Sequence, residues 1–382
     1  MTPGTHSGPQ RSLPFRRVVV KVGTNLLTAG TDRLDLEVMS SLVGQIARLR
    51  QRGAQVVLVS SGAVAAGKHR LGQSTLHEEL PQRQVWAAVG QSLLMEAYDQ
   101  LFRWHDITIA QALLTRVDLQ NRVSYLNARN TFLALLQLGV APIVNENDVV
   151  AVDELADVRI GDNDNLSAMV ASLVEADVLV LLTDIDGLYS ADPKRDPEAR
   201  LVPLVDHIDA VIEASAGTVG SIRGIGGMVT KLQAAKLATA SGVAVIIANG
   251  SEPDVLPRLA DGEPLGTLFS AASSRMESRK RWMLAGLTRR GSVEVDSGAA
   301  AALRNRNTSL LPAGIAGVEG EFRRGDVVAL NDAAGAPVAY GIVNYDSDDL
   351  VRVKGLHSGQ IQEVLGRHFG DEVVHRDNLV LL

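Results

Sequence analysis

Residues 140–165 read VAPIVNENDVVAVDELADVRIGDNDN, and this stretch decides how the rest of the chain is interpreted. The apolar run 140–144 is typical of a buried strand, and two clusters of Asn and Asp follow it at 145–148 and 161–165. Short amides and carboxylates favour turns and ligand contacts and are poor residues for a strand interior. Because loops after buried strands carry the sites of α/β proteins, we predict the floor of a pocket for a small ligand with an ammonium group. A polar surface loop is the alternative.

Further apolar runs occur on both sides of this stretch. We predict strands at 18–22, 56–59, 107–110, 178–182 and 243–248. Segments with helical apolar spacing lie between them, at 36–50, 84–102, 127–138, 166–175 and 232–240. Alternation of strand and helix predicts an α/β fold with a mostly parallel sheet and right-handed crossovers.

Polar residues follow five of these strands, in the motifs VGTN, SSG, NEND, TD and NG. Since ligands bind at the carboxyl edge of a parallel sheet, we expect these residues to converge there. Lys21 interrupts the first strand, VVVKV. A buried ammonium costs several kcal/mol unless it has an anionic partner, so Lys21 needs a partner or a route to water. A lysine that reaches solvent from a strand end is the alternative.

The segment 224–231, GIGGMVTK, precedes the predicted helix 232–240. Glycines allow an anion to approach the backbone, and a helix N-terminus offers free N–H groups, so Lys231 in the first turn suggests a bound anion. An ordinary Gly-rich loop is the alternative. A second candidate, GAVAAGKH at 62–69, lacks the final Ser or Thr of a Walker phosphate loop and is rejected. Two lysines, a glycine loop and several Asp and Asn match phosphoryl transfer.

The composition of the chain excludes several classes of protein and site. A length of 382 residues predicts two domains, and the net charge of −7 argues against a broad basic face for nucleic acid. Because the chain has no cysteine, it has no disulfide, thiolate nucleophile or cysteine-based zinc site. We find no apolar run of bilayer length and no apolar core of a signal peptide, so we expect a cytoplasmic protein without a membrane segment.

Six motifs in order, VVVKVGTN, VSSGAVAAG, NEND, GDNDNLSA, TDIDGLY and GIGGMVTKLQAA, resemble glutamate-phosphorylating members of the amino acid kinase family. The resemblance covers nearly the whole chain after an N-terminal tail. It implies an αβα sandwich around a mostly parallel sheet. It also implies phosphorylation of the γ-carboxylate of L-glutamate with ATP and Mg²⁺, the first step of proline biosynthesis. Two departures are VGTN, where the family often has LGTS, and a longer stretch between NEND and GDND.

The resemblance also implies residue roles. Lys21 and Lys231 would contact the phosphates and neutralise the transferring group, and Asp164 would orient both lysines. The residues implied for glutamate are Ser61, Gly62, Asn145, Asp148, Asp162 and Asn163. The residues implied for ATP are Lys21, Thr183, Asp184, Ile225, Gly226, Gly227, Met228, Val229, Thr230 and Lys231. No protein ligand is assigned to the metal, because Mg²⁺ would be bound mainly through the nucleotide phosphates. Further implied partners are L-proline as a feedback inhibitor, a homo-oligomer (dimer or tetramer) and glutamyl phosphate reductase as recipient of the product.

The last hundred residues have a different pattern. Short predicted strands at 292–295, 326–330, 338–343 and 350–353, with helices near 299–306 and 361–365, suggest a small β-barrel. SLLPAGIAGVEGEFRRGDVVAL followed by AYGIVNYDS resembles a PUA domain, a type that binds RNA in other proteins. Residues 288–382 contain ten Lys and Arg against thirteen Asp and Glu, a net of −3, which disfavours nucleic acid and favours a role in assembly or regulation.

Domain boundaries and alternatives follow from these patterns. We predict a loose tail at 1–15, a catalytic domain at 16–274, a connector at 275–287 and the PUA-like domain at 288–382. One alternative is a related kinase for aspartate, acetylglutamate or carbamate. The other is an RNA-binding or RNA-modifying protein built on the tail domain.

Overall fold

In the computed structural model, structure is described for residues 15–72, 80–151, 163–193, 196–217, 227–271, 291–306 and 308–382. The chain divides into two compact units. Unit 1 comprises Met1–Gln120 and Asn127–Arg275, and unit 2 comprises Asn121–Leu126 and Met276–Leu382. The predicted connector lies outside the described residues. Of the predicted tail only Phe15 is described, and it packs against the core of unit 1. The predicted domain boundaries stay predictions.

Unit 1 is built on an eight-stranded sheet in the order β3-β4-β2-β1-β5-β7-β8-β6. The strands are β1 (Arg17–Val22), β2 (Gln55–Ser60), β3 (Ile109–Leu114), β4 (Ala141–Glu146), β5 (Val178–Thr183), β6 (Leu204–Val205), β7 (Ala244–Asn249) and β8 (Thr267–Phe269). All pairs from β3 to β7 are parallel, and β8 pairs antiparallel with β7. The carboxyl ends of six strands therefore face one edge of the sheet.

Helices cover both faces of this sheet. They are α1 (Thr24–Leu27), α2 (Leu36–Gln51), α3 (Ala63–Arg70), α4 (Leu80–Arg103), α5 (Arg116–Gln120), α6 (Arg122–Gln137), α7 (Asn163–Leu173), α8 (Ala210–Gly217), α9 (Gly227–Ala240) and α10 (Val255–Ala260). One core cluster joins Val18, Val20 and Val22 of β1 to apolar residues of α2, α4 and α10. The helices α7 and α9 contact β1, β5 and β7. Among helices of the described residues, none is long and apolar enough to cross a bilayer.

The predicted αβα sandwich around a mostly parallel sheet is confirmed, with corrections to individual elements. All six strands predicted in this part of the chain are present, but the third runs over Ile109–Leu114 rather than 107–110. The short strands β6 and β8 were not predicted, because two or three residues give no periodic signal. The helix expected at 232–240 begins five residues earlier, at Gly227.

Two glycines allow α3 and α4 to pack with their backbones in contact. A Cβ atom on Gly90 would lie 1.7 Å from the Ala63 carbonyl oxygen, and one on Gly67 would lie 1.9 Å from the Trp86 carbonyl oxygen. No side chain fits at such distances, so both positions require glycine. Since α3 starts directly after β2, this contact fixes α4 against the carboxyl end of that strand.

Unit 2 contains a five-stranded sheet in the order β10-β9-β11-β12-β13. Its strands are β9 (Gly291–Val295), β10 (Ile315–Gly320), β11 (Val327–Asn331), β12 (Pro337–Ile342) and β13 (Leu379–Leu381). Its helices are α11 (Ser297–Arg306), α12 (Ser347–Val353) and α13 (Ile361–Leu365), with 3-10 turns at Pro312–Gly314, Ser358–Gln360 and Arg376–Asn378. These elements enclose a separate apolar core.

One strand predicted in unit 2 is wrong. Residues 350–353 belong to the helix α12. Leu350 and Val353 are buried whereas Val351 is 51% exposed, so the apolar residues follow the three-residue spacing of a helix face and not the alternation of a strand.

Candidate active site

A buried carboxylate lies between two buried lysines at the centre of the unit 1 sheet. Lys21 on β1 is 2% exposed, Lys231 on α9 is 7% exposed, and Asp164 in the first turn of α7 is fully buried. Asp164 Oδ1 lies 2.5 Å from Lys21 Nζ, and Asp164 Oδ2 lies 3.2 Å from Lys231 Nζ. The structure thus supplies the anionic partner that a lysine inside VVVKV requires.

Neighbouring groups hold this carboxylate in place. The Thr230 hydroxyl donates a hydrogen bond to Asp164 Oδ2 over 2.9 Å, and Lys231 Nζ also donates to the Gly227 carbonyl at 3.2 Å. The N-terminus of α7 carries a partial positive charge that favours a carboxylate in its first turn. We call Lys21, Asp164, Thr230 and Lys231 the charged centre. Its formal charge is +1, since two ammonium groups share one carboxylate.

The early start of α9 changes the position of Lys231. Because the helix begins at Gly227, Lys231 lies in its second turn and not in the first, as the sequence had suggested. Its ammonium reaches back along the helix to the Gly227 carbonyl and the charged centre. A Cβ atom on Gly227 would meet no atom of the described residues within 4 Å.

A network of amides lies beside the charged centre, where β2 and β4 end. Asn163 Nδ2 donates to the Ser60 carbonyl at 3.0 Å, and it also lies within hydrogen-bond distance of Ser61 Oγ (3.0 Å) and Asn145 Oδ1 (2.9 Å). Asn145 Nδ2 in turn donates to Gln91 Oε1 of α4 at 2.7 Å. We call Ser61, Gln91, Asn145 and Asn163 the amide pocket. Asn163 and Asp164 are consecutive, so the first turn of α7 serves both groups.

Two further residues predicted for glutamate follow β2 and β4 in the sequence. Gly62 has φ of 100°, a left-handed conformation that favours glycine, and it turns the chain from β2 into α3. Asp148 is half-buried in the turn that follows β4, three residues after Asn145 in sequence. Asp162, Ile225 and Gly226 lie outside the described residues.

The nucleotide-side candidates lie where β5 ends. Thr183 is buried, and its hydroxyl donates to Asp184 Oδ1 at 3.0 Å, while Asn25 Nδ2 donates to Asp184 Oδ2 at 3.2 Å. Burial alone would raise the pKa of Asp184. The bonds from Asn25, its own backbone N–H and Thr183, together with the charge of Lys231, outweigh burial and lower that pKa. The first turn of α9 adds Met228, which is buried, and Val229, which is 37% exposed.

A second carboxylate follows in the same loop. Asp186 accepts hydrogen bonds from Asn249 Nδ2 and from the Tyr189 hydroxyl, each at 2.9 Å. Asn249 ends β7, so polar groups continue along the sheet edge from β4 to β7. In the described part of the chain, no group of three or more His, Cys, Asp and Glu is arranged to hold a metal ion.

Sequence reasoning missed two residues of this edge. Asn25 stands in the quoted motif VGTN but was not proposed as a contact. Gln91 lies in α4, where a single polar residue in an amphipathic pattern usually marks the solvent face. Only the fold shows that Gln91 reaches Asn145, so no signal in the sequence could have identified it.

Comparisons with known proteins identify the family of the chain. Residues 16–249 match the model of the amino acid kinase family, and residues 291–365 match that of the PUA domain. A protein named glutamate 5-kinase from Dehalococcoides mccartyi (strain CBDB1) is 54% identical over 368 residues, which cover 96% of this chain and 99% of that protein. Proteins of the same name from Herpetosiphon aurantiacus and Deinococcus radiodurans are 52% and 50% identical, over 95% and 96% of this chain and 98% and 100% of their own. The chain therefore belongs to the amino acid kinase family and carries a C-terminal PUA domain.

Proposed function

We propose that this protein transfers the γ-phosphoryl group of ATP to the γ-carboxylate of L-glutamate, giving L-glutamyl 5-phosphate and ADP, the first step of proline biosynthesis. The curated relatives that cover nearly the whole chain are named for this activity. The observation that carries the proposal is the charged centre, which has a net positive charge and lies directly beside an amide pocket.

In the proposed reaction, an oxygen of the γ-carboxylate attacks the γ-phosphorus of ATP while the bond to the bridging oxygen of ADP breaks. Negative charge on the transferring oxygens is stabilised by Lys21 and Lys231. Asp164 contacts both ammonium groups and so acts as a positioning residue, because it sets their spacing before substrates bind. Thr230 supports Asp164 through its hydrogen bond.

The proposal assigns glutamate to the side where β2 and β4 end. Asn163, Asn145 and Ser61 supply neutral hydrogen-bonding groups, and the backbone at Gly62 can approach a carboxylate. Asp148 supplies a negative charge for the ammonium group of a free amino acid. Asp162 is included from its motif alone.

ATP is assigned to the side where β5 ends and α9 begins, at Thr183, Asp184 and 225–231. Magnesium bound to ATP would neutralise part of the phosphate charge, and a magnesium ion held by phosphate oxygens and water needs few protein ligands. Of the described residues at this edge, Asp184 is an exposed carboxylate with a lowered pKa, so it is a group that could contact a magnesium-bound water.

The proposal extends to partners. Acyl phosphates hydrolyse in water, so transfer to a reductase for glutamyl phosphate would protect the product. Feedback inhibition by L-proline, assembly into a homodimer or homotetramer, and a cytoplasmic location complete the proposal. The PUA domain is assigned to assembly or regulation, because residues 288–382 carry a net charge of −3.

The test is to measure ADP release and hydroxamate trapping of the acyl phosphate with glutamate, aspartate, acetylglutamate and tRNA offered in turn. We expect turnover with glutamate far above that with the others. Faster turnover of aspartate or acetylglutamate would favour a related kinase. Binding of tRNA without acyl phosphate formation from any acid would favour an RNA-binding protein.

A further inference from the structure

One face of α4 lies along the amide pocket, where β2 and β4 end. Gln84, Gln91 and Tyr98 are spaced by seven residues, which places them on the same side of a helix. Gln84 Nε2 lies 3.5 Å from the Ala151 carbonyl after β4, Gln91 accepts from Asn145 at the end of β4, and Tyr98 shares a 2.9 Å hydrogen bond with Ser60 at the end of β2. This helix therefore forms a wall of the amide pocket.

The orientation of each amide in the pocket follows from one backbone group. The N–H of Glu146 donates to Asn145 Oδ1 over 2.9 Å, so Asn145 Nδ2 must be the donor toward Gln91. Gln91 consequently presents its oxygen to Asn145 and turns its NH₂ group away. By the same logic, Asn163 directs its NH₂ group to Asn145 and leaves its oxygen facing elsewhere.

Within the described part of the chain, this network leaves a donor of Gln91 and an acceptor of Asn163 without a partner. Gln91 Nε2 and Asn163 Oδ1 are shielded from water, and neither finds a hydrogen-bond partner among the residues that the structure describes. A buried polar atom without a partner costs free energy, so two such atoms in one network call for a bound group that supplies the missing hydrogen bonds. An amino acid has the complementary groups, since its carboxylate accepts hydrogen bonds and its ammonium donates them.

We propose that Gln91 is a substrate-binding residue that donates from Nε2 to the α-carboxylate of the amino acid substrate, while Asn163 Oδ1 accepts from its ammonium group. This inference rests on the proposed function. The α-carboxylate is chosen over the γ-carboxylate because Gln91 contacts β4, which lies two strands from β1 and Lys21. Neighbouring strands are about 4.8 Å apart, so Gln91 is on the side of the pocket remote from the charged centre.

Two variants distinguish a Gln91 that donates a hydrogen bond to the substrate from a Gln91 that only holds Asn145 in place. Gln91→Glu keeps an oxygen for Asn145 Nδ2 but replaces the NH₂ donor with a negative charge, whereas Gln91→Met removes both groups at similar size. If Gln91 donates to the ligand, Gln91→Glu should bind glutamate more weakly than Gln91→Met. We expect KM for glutamate to rise about tenfold in Gln91→Met and further in Gln91→Glu. If Gln91 only supports Asn145, KM for glutamate in Gln91→Glu should stay near the wild-type value, because a carboxylate strengthens the hydrogen bond from Asn145.

The measurements are kcat, KM for glutamate and KM for ATP, with the glutamate-induced shift in Tm as a second measure that needs no turnover. We expect kcat and KM for ATP to change less than threefold in both variants. The inference is overturned if Gln91→Glu binds glutamate as well as or better than Gln91→Met, or if KM for ATP rises in parallel. Failure of the proposed function is a separate result, since the wild-type protein would then show no preference for glutamate.

Discussion

The charged centre and the amide pocket lie side by side at one sheet edge, yet they are built in opposite ways. In the charged centre both oxygens of Asp164 contact an ammonium group, and the Thr230 hydroxyl adds a further bond. In the amide pocket the groups are neutral, and Gln91 Nε2 and Asn163 Oδ1 have no hydrogen-bond partner among the described residues.

This difference separates two tasks. A centre whose charges are already fixed does not need to reorganise during reaction, which is what stabilisation of a transition state requires. A pocket with open groups gains its missing hydrogen bonds only when a ligand binds, so it contributes to affinity. We therefore expect substitutions in the charged centre to lower kcat and those around the amide pocket to raise KM for glutamate.

Asp164→Asn should have the largest effect. It removes the carboxylate shared by two buried lysines, and an uncompensated buried charge costs about 3–5 kcal/mol of the free energy of unfolding. We also expect kcat to fall by about 10²-fold or more because both lysines lose their orientation. Urea unfolding and steady-state kinetics measure the two effects.

A matched control for that substitution is Asp254→Asn. Asp254 pairs with Arg48 at the surface, where both side chains are about half exposed. Removal of an exposed ion pair changes stability little. If the two variants unfolded at the same urea concentration, the buried carboxylate would not carry the role that we assign to it.

The second-largest effect is expected for Lys231→Ala. The variant keeps the Lys21–Asp164 pair, so folding should be retained while kcat falls by roughly 10²–10³-fold, because the lost charge matters most in the transition state. Lys236→Ala on the same helix is the control, since Lys236 pairs with Glu213 at the surface. Turnover of Lys231→Ala close to that of Lys236→Ala would place the chemistry elsewhere.

Gly90→Ala should have a moderate effect, and on the amide pocket rather than the charged centre. The added methyl group would lie 1.7 Å from the Ala63 carbonyl, so α4 must shift and carry Gln91 with it. We expect a loss of about 1–3 kcal/mol in the free energy of unfolding and a rise in KM for glutamate that exceeds the fall in kcat.

Gly44→Ala in α2 is the control for that prediction. The nearest atom to a Cβ atom at Gly44 is 4.0 Å away, so the space is open. Alanine is a better helix former than glycine by up to about 1 kcal/mol, so this variant should be as stable as wild type or more stable. Equal stability of both variants would show that α4 does not depend on its close contact with α3.

The contrast also explains what the sequence could and could not predict. Lys21 was identifiable because a charge inside an apolar strand is physically anomalous, and the clusters around Asn145 and Asn163 stood out at the end of a buried strand. The mostly parallel sheet followed from alternation of apolar patterns, whereas the αβα layers were implied by the resemblance to the amino acid kinase family. These signals are local, and they belong to elements with strong periodicity.

Gln91 and Gly90 gave no such signal. A polar residue and a glycine in a helix are ordinary, and their roles depend on a helix crossing that brings residues 63–67 against residues 86–90. The helix α12 was mistaken for a strand because four residues, LVRV, fit either period until the burial of Leu350 and Val353 is known. Contacts between distant segments are what the sequence left undetermined.

The smallest predicted effect concerns Asp184, an exposed carboxylate outside the charged centre that is influenced by the charge of Lys231. The pKa of Asp184 is lowered in the folded protein, so its carboxylate stabilises the fold above the ordinary carboxyl range and loses this contribution as pH falls through the folded pKa. Asp184→Asn should therefore lower the free energy of unfolding at neutral pH by less than about 1 kcal/mol, because the group is largely exposed and screened. The difference from wild type should shrink below about pH 4, where the carboxyl of the unfolded chain becomes protonated, and should shrink again at high salt. Urea unfolding across this pH range measures both trends. A difference that grew in acid would mean that the charge of Lys231 and the bonds from Asn25 and Thr183 do not outweigh burial of the Asp184 carboxylate.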